Sequence, residues 1–307
     1  MIDFFLVTAG LVLLYAGGEL LVRGAVAVGL RCGLSPLVTG LTIVAFGTSA
    51  PELAVSIDAA VIGSTEIAIA NVVGSNFANI ALVLALSALL VPIAIDRKVL
   101  YRDIPVMLGG FVISILMLLD GEVGLLDGAL LLAGLVGYIG FVISHSRSEY
   151  VVLEDQEPGA FSLTTTVFML IGGVAVLVLG GHFLVEGAVH IASSLGVSEA
   201  VIGMTVVAVG TSLPEITASL VSIIRGHSGM AVGNVVGSNI WNTFGVLGVT
   251  SSIIPLQQGQ VSALMLGTMV GAGVVLWVFC RTRSTLSRVE GGIMLAGYIA
   301  CQTWLFL

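Results

Sequence analysis

Apolar residues fill this chain in long stretches separated by short polar breaks, and a helix needs about 20 mostly apolar residues to cross the hydrocarbon of a bilayer. The pattern predicts ten such spans, at 4–22, 34–61, 67–92, 102–119, 125–144, 163–189, 199–224, 230–254, 260–280 and 288–306. The period-2 alternation of a membrane barrel is absent and the apolar runs are too long for strands, so the expected fold is all-α. The opening residues, MIDFF, put no basic stretch ahead of the first run, and further spans follow it. That run therefore reads as a first span and not as a removable signal segment.

A second pattern recurs inside the first. Gly40 to Glu52 reads GLTIVAFGTSAPE, and Gly203 to Glu215, 163 residues later, reads GMTVVAVGTSLPE. The same offset pairs Gly17, Gly18, Leu21 and Val22 with Gly180, Gly181, Leu184 and Val185. It also pairs Asn71 to Asn76, NVVGSN, with Asn234 to Asn239, and it needs no gap from Gly17 to Pro92. Equivalent points lie five spans apart, so the copies sit upside down relative to each other. The expected fold is an all-α membrane protein of ten transmembrane helices in two inverted five-helix repeats, 1–145 and 162–307, joined by a cytoplasmic linker at 146–161. Inverted repeats put a substrate site near the bilayer midplane, where the halves meet.

Composition excludes a soluble globular domain: 57% of residues are hydrophobic, 9% are charged and the mean hydropathy is +1.15. The ten Lys and Arg residues fall at odd-numbered connections: Arg23 and Arg31, then Arg97, Lys98 and Arg102, then Arg147, Arg225, and Arg281, Arg283 and Arg288. The positive-inside rule turns those connections to the cytoplasm and both termini outside, in a multi-pass protein of the cell membrane. Even-numbered connections carry acids instead, among them Glu66, Asp120, Glu122, Asp127 and Glu199. The net charge of −8 sums loops on opposite faces and gives no ground for a nucleic-acid or obligatory protein partner. The lipid bilayer is the expected surrounding. Cys32, Cys280 and Cys301 show neither metal-ligand spacing nor a paired framework, and they read as packing residues.

The repeated motif also carries the costliest residues. Glu52 and Glu215 lie mid-span, where a charge costs several kcal/mol and is tolerated mainly against a cavity or a partner, and no mid-span Lys or Arg serves as one. Pro51 and Pro214 deny a hydrogen bond to the carbonyls of Gly47 and Gly210, which predicts a bend and free carbonyl oxygens. Thr48 with Glu52, and Thr211 with Glu215, share an i, i+4 face, so hydroxyl, carbonyl and carboxylate are expected to converge. Oxygen-only clusters suit hard cations such as calcium and sodium. The next span carries Asn71, Ser75 and Asn79 in one copy and Asn234, Ser238 and Asn242 in the other, at i, i+4, i+8. Gly74 and Gly237 beside them would let helices approach. Asn71, Asn76, Asn234 and Asn239 read as links between helices.

GTSAPE and GTSLPE, each followed by GSNxxN, resemble the alpha repeats of the cation/calcium antiporter superfamily, and within it the prokaryotic sodium/calcium exchanger branch. Those repeats fall at about 36–84 and 199–247. The resemblance implies a non-enzymatic antiporter that exchanges sodium for calcium by alternating access, with Ca2+ and Na+ as transported ions and no cofactor. It implies ion ligands at Glu52 and Glu215, at Thr48, Thr211, Ser49, Ser212, Ser75 and Ser238, at the carbonyls of Ala45 and Ala208, and at Asn79 and Asn242. Proton-driven relatives tend to carry Asn at the position of Thr48, and potassium-dependent ones Asp at the position of Asn242. This chain has neither. A proton-driven calcium antiporter and a cation channel are the alternatives, separated from sodium exchange by the counter-ion dependence of flux. An intramembrane hydrolase lacks its Ser/His pair, His cluster or paired aspartates at the midplane.

Three further features read as locally satisfied or solvated. Glu19 with Arg23, and His182 with Glu186, are i, i+4 pairs at equivalent positions. Asp58 lies about two turns beyond Glu52 and reads as a helix end. The linker acids Glu149, Glu154, Asp155 and Glu157 lack EF-hand spacing.

Overall fold

The computed structural model describes residues 2–146, 161–196, 208–259 and 261–305. The linker between Ser146 and Phe161, with Arg147 and its four acids, lies outside these residues, as do Glu199 and the start of the second motif up to Val207. In chain order the first half runs α1 (Ile2–Cys32), α2 (Pro36–Thr48), α3 (Ala50–Val61), α4 (Thr65–Leu90), α5 (Val99–Asp120) and α6 (Leu125–Ser146). The second runs α7 (Leu163–Ser194), α8 (Ala208–Gly210), α9 (Leu213–Ile224), α10 (Ser228–Ile240), α11 (Leu247–Ile253), α12 (Ala263–Arg283) and α13 (Arg288–Leu305). Among the described residues six helices are long and apolar enough to cross a bilayer, and the bent pair α2 and α3 makes a seventh. Apolar side chains such as Phe4, Leu126, Val136 and Phe168 stand exposed around the outside, the arrangement of a protein whose solvent is lipid.

Helix α1 outruns the predicted first span by ten residues, so Arg23 and Arg31 belong to a helix and not to a connection. A charged residue near a span end does not stop a helix, because its stem lies along apolar surface while its head reaches water. The stop signals are Gly33, left-handed at φ 65°, and Pro36 beyond it. Arg102 likewise sits inside α5 and pairs with buried Asp103, which also accepts from Tyr138 Oη at 2.9 Å. Cys32 ends α1 exposed, contrary to a packing role, while Cys280 is buried.

The glycines of α1 and α7 set the main interhelical contact. A Cβ on Gly10 would lie 2.6 Å from the Leu184 nitrogen, and one on Gly17 2.6 Å from the Leu177 nitrogen. Rising numbers on one helix meet falling numbers on the other, so the two run antiparallel. Each contact also recurs with its members exchanged, Gly10 against Gly180 and Gly17 against Gly173. Helices equivalent in sequence that pack antiparallel in this way are related by a two-fold axis across the helices, which makes the halves inverted, as the offset predicts.

The same exchange governs the remote ends of the molecule. Two short antiparallel ladders, unforeseen in the sequence, pair β1 (Ile93–Ala94) with β4 (Thr285–Leu286) and β2 (Glu122–Val123) with β3 (Leu256–Gln257). Ile93 pairs with Leu286, and their counterparts Leu256 and Val123 pair with each other. Gly128 packs against the Gly248 carbonyl and its counterpart Gly291 against that of Ala85. One offset therefore serves well beyond Pro92, into the last helix of each half.

Candidate ion-binding site

Both copies of the repeated motif break at the same residue. Ser49 has φ −83° and ψ 1°, Ser212 has φ −87° and ψ 2°, and a new helix starts after each. The bend between α2 and α3 is 41°. Pro51 and Pro214 therefore do not kink a continuous helix. They occupy the first turn of α3 and α9, where the missing N–H has no helical partner to lose. Glu52 and Glu215 fall in the same first turns, at the positive end of each helix dipole.

The break lies between Thr48 and Glu52, so the helical i, i+4 relation expected for them does not hold. The Thr48 hydroxyl turns to the other half, donating to Asn234 Oδ1 at 3.0 Å and lying 3.2 Å from Ser238 Oγ. Asn234 in turn donates to the Glu215 carbonyl at 3.3 Å and to Ser219 at 2.9 Å. In the first half Asn71 repeats this, donating to the Glu52 carbonyl at 3.2 Å and to Ser56 at 3.0 Å. Asn76 reaches Thr243 and Asn239 the Met107 sulfur, so these asparagines link helices. Gly237 lets α10 approach Leu41, whose Cα would lie 2.7 Å from an added Cβ. Gly74 has no such neighbour among the described residues.

Glu52 and Glu215 are both fully buried. Their four carboxylate oxygens, the hydroxyls of Ser49 and Ser212, and both amide atoms of Asn79 and Asn242 have no hydrogen-bond partner among the described residues. Buried polar atoms are almost always paired, so two buried carboxylates with every oxygen unpaired mark a place built for something the chain itself does not supply. Among the described residues no group of three His, Cys, Asp or Glu side chains converges, which leaves two acids and a majority of neutral oxygens. Asn79 opens one π-helical turn (Asn79–Leu84) and Asn242 lies in its counterpart (Trp241–Val246). Wide turns of this kind cluster at functional sites, because they release backbone groups from the regular ladder.

The other expected positions are spread along the same elements. The Ala45 carbonyl accepts from the Ser49 N–H at 3.0 Å, Ser75 and Ser238 are buried, and Thr211 is half-buried in the turn before Ser212. Ala208 lies on α8, and its side chain falls outside the described residues. No hydrogen bond among the described residues joins Ser75, Asn79 or Asn242 to either glutamate. Ser56 and Ser219 escaped the sequence reading, although each stands four residues after its glutamate at the common offset. Glu19 is more than a local partner of Arg23 at 2.6 Å, since Arg225 from the second half binds it too. His182 lies 3.7 Å from Glu186 on an exposed face, and Asp58 is exposed near the end of α3.

Comparison with known proteins agrees with this geometry. A family model described as sodium/calcium exchanger protein matches residues 2–144 and 165–307, one half each. The sodium/calcium exchanger MaX1 of Methanosarcina acetivorans is 30% identical over 99% of both chains. The membrane protein MJ0091 of Methanocaldococcus jannaschii is 35% identical over 97% of this chain and 95% of its own. A solved structure of the sodium-calcium exchanger NCX_Mj superposes with a TM-score of 0.83 at 33% identity, covering 97% of each chain. With both halves matched by that model, and with a buried glutamate at the same place in each, the chain belongs to the sodium/calcium exchanger protein family.

Proposed function

We propose that this protein exchanges sodium for calcium across the cell membrane by alternating access, with both termini outside and the ions held at the midplane between Glu52 and Glu215. The observation that carries the reading is the pair of fully buried carboxylates, one from each inverted half, with no partner among the described residues for any of their oxygens. Leaving two charges so placed costs several kcal/mol per ion, an expense that a transported cation offsets whenever it is bound. Thr48, Thr211, Ser49, Ser212, Ser75, Ser238, Asn79, Asn242 and the carbonyls of Ala45 and Ala208 would complete an oxygen shell suited to hard cations.

Charge counting gives the reading a sharper form. Two carboxylates balance one calcium ion, whereas three sodium ions leave an excess positive charge that a low-dielectric site penalises. Exchange of three sodium ions for one calcium is then electrogenic and needs no potassium, because no third acid offsets a further cation. Calcium uptake into proteoliposomes under imposed sodium, proton or potassium gradients tests this. Sodium-driven uptake supports the reading, proton-driven uptake replaces it, and calcium flux without a counter-ion makes the protein a channel. Asn242→Asp adds the missing acid, and we expect its uptake to become more proton-sensitive or to accept an additional monovalent ion. Unchanged pH and potassium dependence in that variant would remove Asn242 from the neighbourhood of the ions.

A further inference from the structure

The two halves match closely, so a place where they differ calls for a reason. Phe244, in the π turn between α10 and α11, seats its ring in the niche between α5 and α6. A Cβ on Gly110 would meet that ring at 2.5 Å, and one on Gly134 at 3.1 Å. The counterpart of Phe244 at the offset of 163 is Ala81, and the counterpart of Tyr138, on the same wall as Gly134, is Cys301. Phe244 and Tyr138 at one niche are thus matched by the small Ala81 and Cys301 at its equivalent, where Phe77 and Tyr298 in turn are larger than their counterparts Ile240 and Leu135. The matching niche, between α4, α12 and α13, is open where Phe244 would sit: a cavity of about 280 Å3 bordered by Phe77, Ala81, Ala272, Gly297, Tyr298 and Cys301.

Its chemistry is almost wholly apolar. Val275 and Ile293 at its border are 41% and 54% exposed, so the cavity is continuous with the surface that faces the bilayer. Engineered apolar cavities of about 150 Å3 stay free of water and take up benzene, and this one has nearly twice that volume. Between helices and lipid there is no hydrophobic gain, and what decides occupancy is dispersion contact, which the wall of an unfilled void forgoes. We propose that this cavity is a binding site for the alkyl chain of a membrane lipid, entering from the side to take the place that Phe244 fills in the equivalent niche between α5 and α6. The chain packs on the turn of α4 that contains Asn79, between Phe77 and Ala81.

The test uses the full-length protein in vesicles containing a phospholipid with a photoreactive diazirine near the end of one acyl chain. Labelled peptides are then mapped by mass spectrometry. Wild type is expected to be labelled at Phe77–Ala81 and Gly297–Cys301 more strongly than on exposed faces such as Leu126 and Val136. Ala81→Phe and Gly297→Leu fill the cavity from opposite walls, and no atom lies within 4 Å of where a Gly297 Cβ would sit. Both variants should lose the cavity labelling and keep that of Leu126 and Val136. Labelling of the cavity no stronger than of the outer faces, or equal in wild type and variants, overturns the proposal and points to helices that close over the niche. Failure of both variants to fold overturns it as well, since the space would then not be open.

Discussion

Thr48 shows at the scale of one residue how a site can be half legible. Its place in a repeated GTS motif marks it, but its partner Asn234 lies 186 residues away and is chosen by the packing of the two halves. Thr48→Val keeps the shape and removes the hydroxyl, leaving Asn234 Oδ1 buried without that donor. An unsatisfied buried acceptor costs about 1–3 kcal/mol, so the variant should melt earlier in detergent and transport calcium more slowly. Unchanged melting would mean that this bond is not formed in the dominant state. The glutamates themselves were legible because a mid-span acid has few explanations. Their position in the first turn of a helix was not, because the break at Ser49 and Ser212 falls ahead of the prolines that suggested it.

Single helices are where the sequence pattern succeeded most and where its errors share a cause. Long apolar runs form helices, but charge does not mark their boundary, and α1 runs on through Arg23 and Arg31 to Gly33. The π turns and the short ladders carry no apolar signature of their own, since they depend on what packs beside them. The glycines of α1 and α7 could be read as small residues, but only the structure reveals which of them meet backbone. Gly17→Ala puts a Cβ 2.6 Å from the Leu177 nitrogen, whereas Gly172→Ala on α7 meets nothing within 4 Å. Overpacking typically costs about 1–3 kcal/mol. We expect the first variant to lower the melting temperature clearly and the second to leave it unchanged; equal melting of the two would separate the α1 and α7 backbones.

For the whole molecule, the offset of 163 residues announced the inverted halves before any coordinate did, because five spans separate equivalent points. Residues that meet across the two-fold axis stayed hidden, since an offset relates equivalents and not contacts. Orientation rests on the placement of Lys and Arg, and exposed Cys32 at the end of α1 offers a check. A membrane-impermeant maleimide should label it in inside-out vesicles and not in right-side-out cells; the opposite pattern reverses the topology. The central claim, ion exchange at the Glu52 and Glu215 pair, is tested most directly by sodium-gradient-driven calcium uptake in proteoliposomes holding equal amounts of folded wild type, Glu52→Gln and Glu215→Gln. Removing an intramembrane charge does not threaten packing, so both variants should fold while their uptake falls to the level of empty vesicles. Calcium uptake that persists in either folded variant would contradict the account.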